Sequence, residues 1–409
     1  MTHRRSESNR EQDVDDLGRI DIDRARSDTP GVADLAHFNN AGASLPPRQV
    51  VDAFVDYIRG EAAVGGYEHA AANVGAINRV YDEGARLLGC DTDELAFQQS
   101  ASQAWWAAFN SVPLNPGDRV LATTAEYATN GLGLLRARAR GIDVVLIPND
   151  ESGQVSVAAL SELLDERVKL VCATHVPTSS GLINPAAAIG SAVKMGSDAF
   201  YLLDAAQSVG QLRLEVSDLK GDFLALTGRK YLRGPRGTGI LFQRRGLTGL
   251  RPPAAVDTSS GEWTGPWTST ALTGARAHQL FECGFGAKVA FGVALAYANE
   301  LGPDNIAARV QALGAILRDS LAGVDGVIVA DRGVEMSGIV TFEVAGNPPS
   351  EVVEALRAQG INTSESAVGA AQFDLAERAP NGVVRASVHY FNTEEEVKRL
   401  AGAVAALIH

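Results

Sequence analysis

Three cysteines in 409 residues, Cys90, Cys172 and Cys283, form an odd and scattered set without CxxC spacing. That argues against a disulfide framework and against a cysteine zinc site, and no metal is expected. Positive charge is also short. A net charge of −13 disfavours nucleic acid and anionic membranes as partners. No stretch of about 18 apolar residues could span a bilayer, and Thr-His-Arg-Arg-Ser-Glu-Ser after Met1 is no apolar signal core. A cytoplasmic chain is the expectation. Lysine is scarcer still, six residues against thirty arginines, so the setting of each lysine carries information.

What is present is enough apolar residue, 45% of the chain, to bury a large core in two domains or in one with an appendage. Residues 1–34 are polar and charged and read as a flexible arm. From Phe38 onward, short β-rich runs at residues 94–98, 119–123, 143–147, 169–173, 199–203, 223–226 and 239–242 alternate with Ala- and Leu-rich stretches such as 157–164 and 186–194. The alternation predicts an α/β fold with a mostly parallel sheet, a large domain over 35–290. A long Ala-rich helix over 286–301 leads to strands at 327–330, 338–344 and 383–389 with helices at 350–359 and 394–408. These predict a small α+β C-terminal domain over 291–409, its last helix opened by a Thr393/Glu396 capping box.

The chemistry is concentrated in two runs. Leu202-Leu203-Asp204-Ala205-Ala206-Gln207 is an apolar strand ending in a carboxylate, delivered to the sheet edge where open α/β folds place ligands. Leu226-Thr227-Gly228-Arg229-Lys230, followed by Gly234-Pro235-Arg236-Gly237, puts a lysine on a Gly-bounded turn. A buried carboxylate and a lysine are the pair that pyridoxal phosphate chemistry requires: the carboxylate keeps a pyridine nitrogen protonated, and the amine holds the aldehyde as a Schiff base. The 234–239 segment has neither Walker A spacing nor a dinucleotide fingerprint.

Asp204-x-x-Gln207 with Thr227-Gly-Arg-Lys230-x-x-x-Gly-Pro-Arg-Gly resembles the signature of the class V aminotransferase family of fold-type I pyridoxal phosphate enzymes, over Phe38 to the C-terminus. That family includes cysteine desulfurases, isopenicillin N epimerase and the ergothioneine C–S lyase. The resemblance implies pyridoxal 5'-phosphate as cofactor and a homodimer with the site near the interface. It implies Gln207 at the cofactor's phenolic oxygen, and Thr227 and Arg229 at its phosphate. Ser100, Ala101 and Ser102, expected before a helix opening near Ala104, match the family's phosphate turn, where free N–H groups face an anion. Tyr127 matches the ring that stacks on the cofactor and contacts substrate; Thr178 matches a position near the cofactor oxygen. Arg385 matches the grip on the substrate α-carboxylate. Asn40, Gly42 and Tyr67 resemble substrate-entrance positions.

Two departures narrow the expectation. Desulfurases carry a cysteine on a mobile loop before that arginine, and here Asn362 to Phe373 contains none. Phe285 stands where relatives present a threonine to the partner's phosphate. The expected reaction is β-elimination from an L-cysteine S-conjugate by Lys230, Asp204 and Tyr127. Decarboxylation, oxidative deamination, epimerisation or transamination in specialised metabolism, as on lincosamide-type S-conjugates, is the alternative.

Overall fold

The computed structural model describes residues 20–408. Order begins earlier than the composition suggests. Asp21 accepts the Arg24 backbone N–H at 2.9 Å and caps a short helix, α1 (Ile22–Ser27), before a single 3-10 turn at Pro30–Ala33. Ala25 and Thr29 are fully buried, and the Thr29 hydroxyl accepts from Arg233. The arm expected over 1–34 is therefore corrected for its second half, where small side chains rather than large apolar ones make the packing. Residues 1–19 lie outside the described residues.

β1 (Ala36–His37) leads to three helices that the strand pattern does not announce, α2 (Arg48–Val64), α3 (Gly66–Ala72) and α4 (Val74–Leu88). α4 buries Ile77, Val80, Tyr81, Gly84, Ala85 and Leu88 on one face and stops where Gly89 takes the left-handed φ of 66°. The expected alternation follows: β2 (Leu95–Gln98), α5 (Ala101–Ser111), β3 (Arg119–Ala122), α6 (Ala128–Arg138), β4 (Asp143–Leu146), α7 (Val157–Leu163), β5 (Val168–Thr174), α8 (Ala186–Gly196), β6 (Phe200–Asp204), α9 (Val216–Leu219), β7 (Phe223–Thr227) and β8 (Gly239–Gln243). The seven strands form one sheet in the order β2-β8-β7-β6-β5-β3-β4, and only β8 runs against the others. β6 and β7 are almost wholly buried, as strands covered on both faces must be. The register sets Thr174 beside Asp204 and Asp204 beside Ala225, so the carboxyl ends of β5, β6 and β7 open on one edge.

An exposed hairpin, β9 (Gly261–Gly265) with β10 (Thr268–Ala271), precedes α10 (Phe285–Leu301). α10 packs on α2 and α4 and so belongs with the large sheet. The boundary expected at 290/291 falls inside this helix, which runs on to Gly302, whose φ of 85° turns the chain into α11 (Pro303–Ala322). Then come β11 (Val327–Val329), β12 (Ile339–Val344), α12 (Pro349–Ala358), β13 (Ile361–Asn362), β14 (Ser364–Ser366), α13 (Gln372–Arg378), β15 (Val383–Ser387) and α14 (Glu394–Ala405). A four-stranded antiparallel sheet, β11-β12-β15-β14, organises this unit, and Thr393 with Glu396 closes the capping box of α14. β1 pairs in parallel with β13, and Asn39 bridges to Ser387, so residues 36–39 cross over to the second unit. Among the described residues no helix is long and apolar enough to cross a membrane.

Candidate active site

Asp204 ends β6 at 7% exposure. Its Oδ1 accepts the Ala206 N–H at 2.9 Å and its Oδ2 accepts from Asn130 Nδ2 at 2.8 Å. Both donors are neutral. Lys230 is delivered by the turn after β7, which needs its glycines: a Cβ on Gly228 would stand 2.8 Å from the Phe291 ring, and one on Gly239 2.6 Å from the Leu226 carbonyl and 2.8 Å from Ser100 C. Burial pushes the Lys230 ammonium down to about 7, with the charges of Arg229 and Arg385 acting the same way and Asp204 opposing them. At neutral pH much of this amine is free to act as nucleophile or base.

The anion cradle lies at the start of α5. Ser100 is extended and its Oγ accepts the Gln103 N–H at 3.1 Å, so α5 opens at Ala101, three residues earlier than expected. The first N–H groups of a helix have no partner within it and point outward, toward an anion if one is bound. Ser102 Oγ lies 3.4 Å from Thr129 Oγ1. Arg229 donates to the Gly42 carbonyl, and Thr227 Oγ1 donates to the Thr238 carbonyl at 3.2 Å. Gln207 Nε2 holds the Ala41 carbonyl at 3.1 Å, while its buried Oε1 has no partner. An unpartnered buried acceptor costs about 1–3 kcal/mol and marks a place where a polar ligand fits.

The ten residues expected around the cofactor, Ser100, Ala101, Ser102, Tyr127, Thr178, Asp204, Gln207, Thr227, Arg229 and Lys230, line one cavity together with Asn130, Thr174, Val176 and Ala206. Tyr127 stands at its rim, immediately before α6. Arg385, on β15, lies behind Thr178. Its Nη1 donates to the Thr178 hydroxyl and to the Thr178 carbonyl at 3.4 Å, and its Nη2 to Asn39 Oδ1 at 3.3 Å; Nε is buried without a partner. Among the described residues no carboxylate pairs with this guanidinium. Burial holds it below its ordinary range, at about 10.

Three expected substrate residues are placed otherwise. Asn40 is wholly buried and its amide is saturated by the carbonyls of His37 and Ser387 and the hydroxyl of Ser44, so it ties down the chain; Asn39, its neighbour, is the one that reaches Arg385. Gly42 acts through its carbonyl on Arg229, and a Cβ there would collide with the Asn39 side chain. Tyr67, 76% exposed on α3, stands apart from the cavity of its own chain. Sequence reasoning also passed over Asn130 and Glu126; the i, i+4 pair around Tyr127 was the available signal.

A lysine held near neutrality, a buried carboxylate with neutral donors and a helix start opening on the same cavity, all on one edge of a mostly parallel sheet, define a pyridoxal phosphate enzyme of fold type I. The class-V aminotransferase model matches residues 36–400, and the chain belongs to that family. It is 26% identical, over 92% of its length and 95% of the relative's, to a probable cysteine desulfurase of Methanothermobacter thermautotrophicus. It is 27% identical, over 94% and 97%, to the cysteine desulfurase of Pectobacterium atrosepticum. Among solved structures, a cysteine desulfurase from Thermococcus onnurineus NA1 superposes with a TM-score of 0.87 at 24% identity, covering 95% of this chain and 98% of that one. The cystine C–S lyase C-DES, complexed with cysteine persulfide, gives 0.82 at 21%, covering 92% and 99%. At these identities the structural likeness speaks for the fold.

Proposed function

We propose that the protein cleaves the Cβ–S bond of an L-cysteine S-conjugate by β-elimination, releasing a thiol and an enamine that takes up one water to give pyruvate and ammonia. The observation that carries this is where the cysteines sit. Cys172 is sealed inside the sheet on β5, Cys90 follows α4 and Cys283 precedes α10; none lines the cavity of Lys230. Burial pushes every thiol up, Cys90 to about 12, so no thiolate is available at neutral pH to attack a substrate sulfur. The segment where desulfurases carry their mobile cysteine is here anchored by Ser366 Oγ, which donates to the Thr178 carbonyl at 2.9 Å, and just beyond it Asp374 on α13 accepts from Ser179 Oγ at 2.6 Å and from Arg378 Nη2 at 2.8 Å.

Pyridoxal phosphate supplies, when bound, a ring that takes up the electron pair left at Cα. The chain's own residues do the rest. The N–H groups opening α5, with Ser102, Thr227 and Arg229, would hold the phosphate; Asp204 would keep the ring nitrogen protonated, Gln207 would hydrogen-bond the phenolic oxygen, and Tyr127 would stack on the ring. Arg385 Nε and Nη2 grip the substrate α-carboxylate beside Asn39. Lys230 Nζ, with burial holding it near neutrality, would take the Cα proton, and the β-sulfur would leave with its substituent, since no protein thiol stands by to capture it. A homodimer belongs to the same proposal, with the half-exposed Val51, Phe54, Val55 and Ile58 of α2 as a contact face.

The test is product analysis of the holoenzyme with L-cysteine and S-alkyl-L-cysteines. Pyruvate and free thiol from the conjugates support the proposal; alanine with sulfur bound to the protein establishes the desulfurase reading that the relatives' names suggest.

A further inference from the structure

Glu126 precedes Tyr127 and has no part in the chemistry above. It is 1% exposed, and the donors to its carboxylate are neutral: Thr123 Oγ1 at 2.8 Å on Oε1, with Asn130 Nδ2 at 2.9 Å and Thr174 Oγ1 at 3.1 Å on Oε2. The same Asn130 nitrogen gives its other hydrogen to Asp204 Oδ2 at 2.8 Å. One amide therefore joins two buried carboxylates. Since an ionised carboxylate only accepts, the amide orientation is forced, and with it the direction in which Asp204 presents its remaining lone pairs.

We propose that Glu126 is a positioning residue which, through Asn130, fixes the Asp204 carboxylate and adds negative potential where a protonated ring nitrogen is to be held. This rests on the reading that pyridoxal phosphate occupies the cavity. A buried carboxylate without a cation is costly, and it persists where something compensates it. Burial pushes the Glu126 carboxyl up to about 7, the Asp204 charge adds to that, and the three donors oppose it. The other titratable groups facing Glu126 are Cys172 on β5 and Tyr201 on β6, both kept neutral by burial. Among the described residues Lys230, which burial leaves only partly protonated, is the one cation near Asp204, and a cation seated on Asp204 would supply the counter-charge that the two carboxylates otherwise share with that lysine alone.

Glu126→Gln keeps the volume and removes the charge. With pyridoxal phosphate labelled with 15N in the ring, the nitrogen chemical shift followed against pH reads protonation at that atom without any turnover. The titration midpoint of the ring nitrogen should fall by about one pH unit or more in Glu126→Gln, the two proteins converging below about pH 7, where Glu126 itself takes up a proton. Asn130→Ala leaves Glu126 in place and cuts the link; it should melt a few degrees lower and, at temperatures where it is folded, bind the cofactor roughly tenfold more weakly. A ring-nitrogen titration unchanged in Glu126→Gln overturns the inference and leaves Glu126 as a tie between the ends of β3 and β5. If Glu126→Gln does not fold, unchanged cofactor affinity in Asn130→Ala overturns it equally. A wild type that binds no cofactor refutes the function proposed above instead.

Discussion

Replacing Arg385 by methionine separates the role of a ligand grip from that of a structural cation. The guanidinium is 6% exposed, has no carboxylate partner among the described residues and keeps Nε unbonded. Its fall from 12.5 to about 10 corresponds to about 3 kcal/mol held against the charged form in the free protein. The hydrogen bonds to Thr178 and Asn39, at about 1.5–3 kcal/mol each for a charged donor, offset that penalty. Arg385→Met should therefore melt within a few degrees of wild type. Binding behaves differently. Losing a buried bidentate carboxylate contact costs about 2–5 kcal/mol, which is roughly 30-fold to several-thousand-fold in affinity. The assay is thermal denaturation of the holoenzyme with and without an unreactive L-amino acid: wild type should gain several degrees and the variant none, with a matching rise in KM. A variant that melts far below wild type, or is protected as well as wild type, refutes the assignment.

Three further outcomes are expected. In cofactor-free protein, stability should rise as pH increases from about 7 toward 10.5, because the unfolded chain retains a proton that folded Lys230 has lost; urea melts across that range should show the rise in wild type and not in Lys230→Met. Replacing Cys90, Cys172 and Cys283 together by serine or alanine should lower the melting temperature through the Cys172 site but leave turnover per folded molecule within about twofold, measured as pyruvate release. Gly239→Ala pushes β8 from the Ser100 turn, so phosphate affinity should fall and stability drop by about 1–3 kcal/mol, read by equilibrium titration and melting.

The sheet was legible because its central strands are buried on both faces and read as continuous apolar runs; β3, β6 and β7 sit within a residue or two of expectation. Asp204 and Lys230 were legible for the same reason, each standing where such a run stops. What escaped the sequence depended on contacts far along the chain. Asn39 and Asn40 are chemically identical, and only the bridge to Ser387 decides which amide is buried and which reaches Arg385. Glu126 reads as a surface carboxylate until β5 brings Thr174 to it, 48 positions away. The order of residues 20–34 rests on Ala25 and on Thr29 under Arg233, neither of which stands out as an apolar anchor.

On this proposal Lys230, facing Asp204, is the group that carries pyridoxal phosphate. Borohydride reduction of the protein after incubation with the cofactor, followed by peptide mass analysis, tests it directly. The predicted result is a single phosphopyridoxyl addition on the peptide containing Lys230, absent from Lys230→Ala. Addition at another of the six lysines, or none in a protein that remains folded, would contradict it.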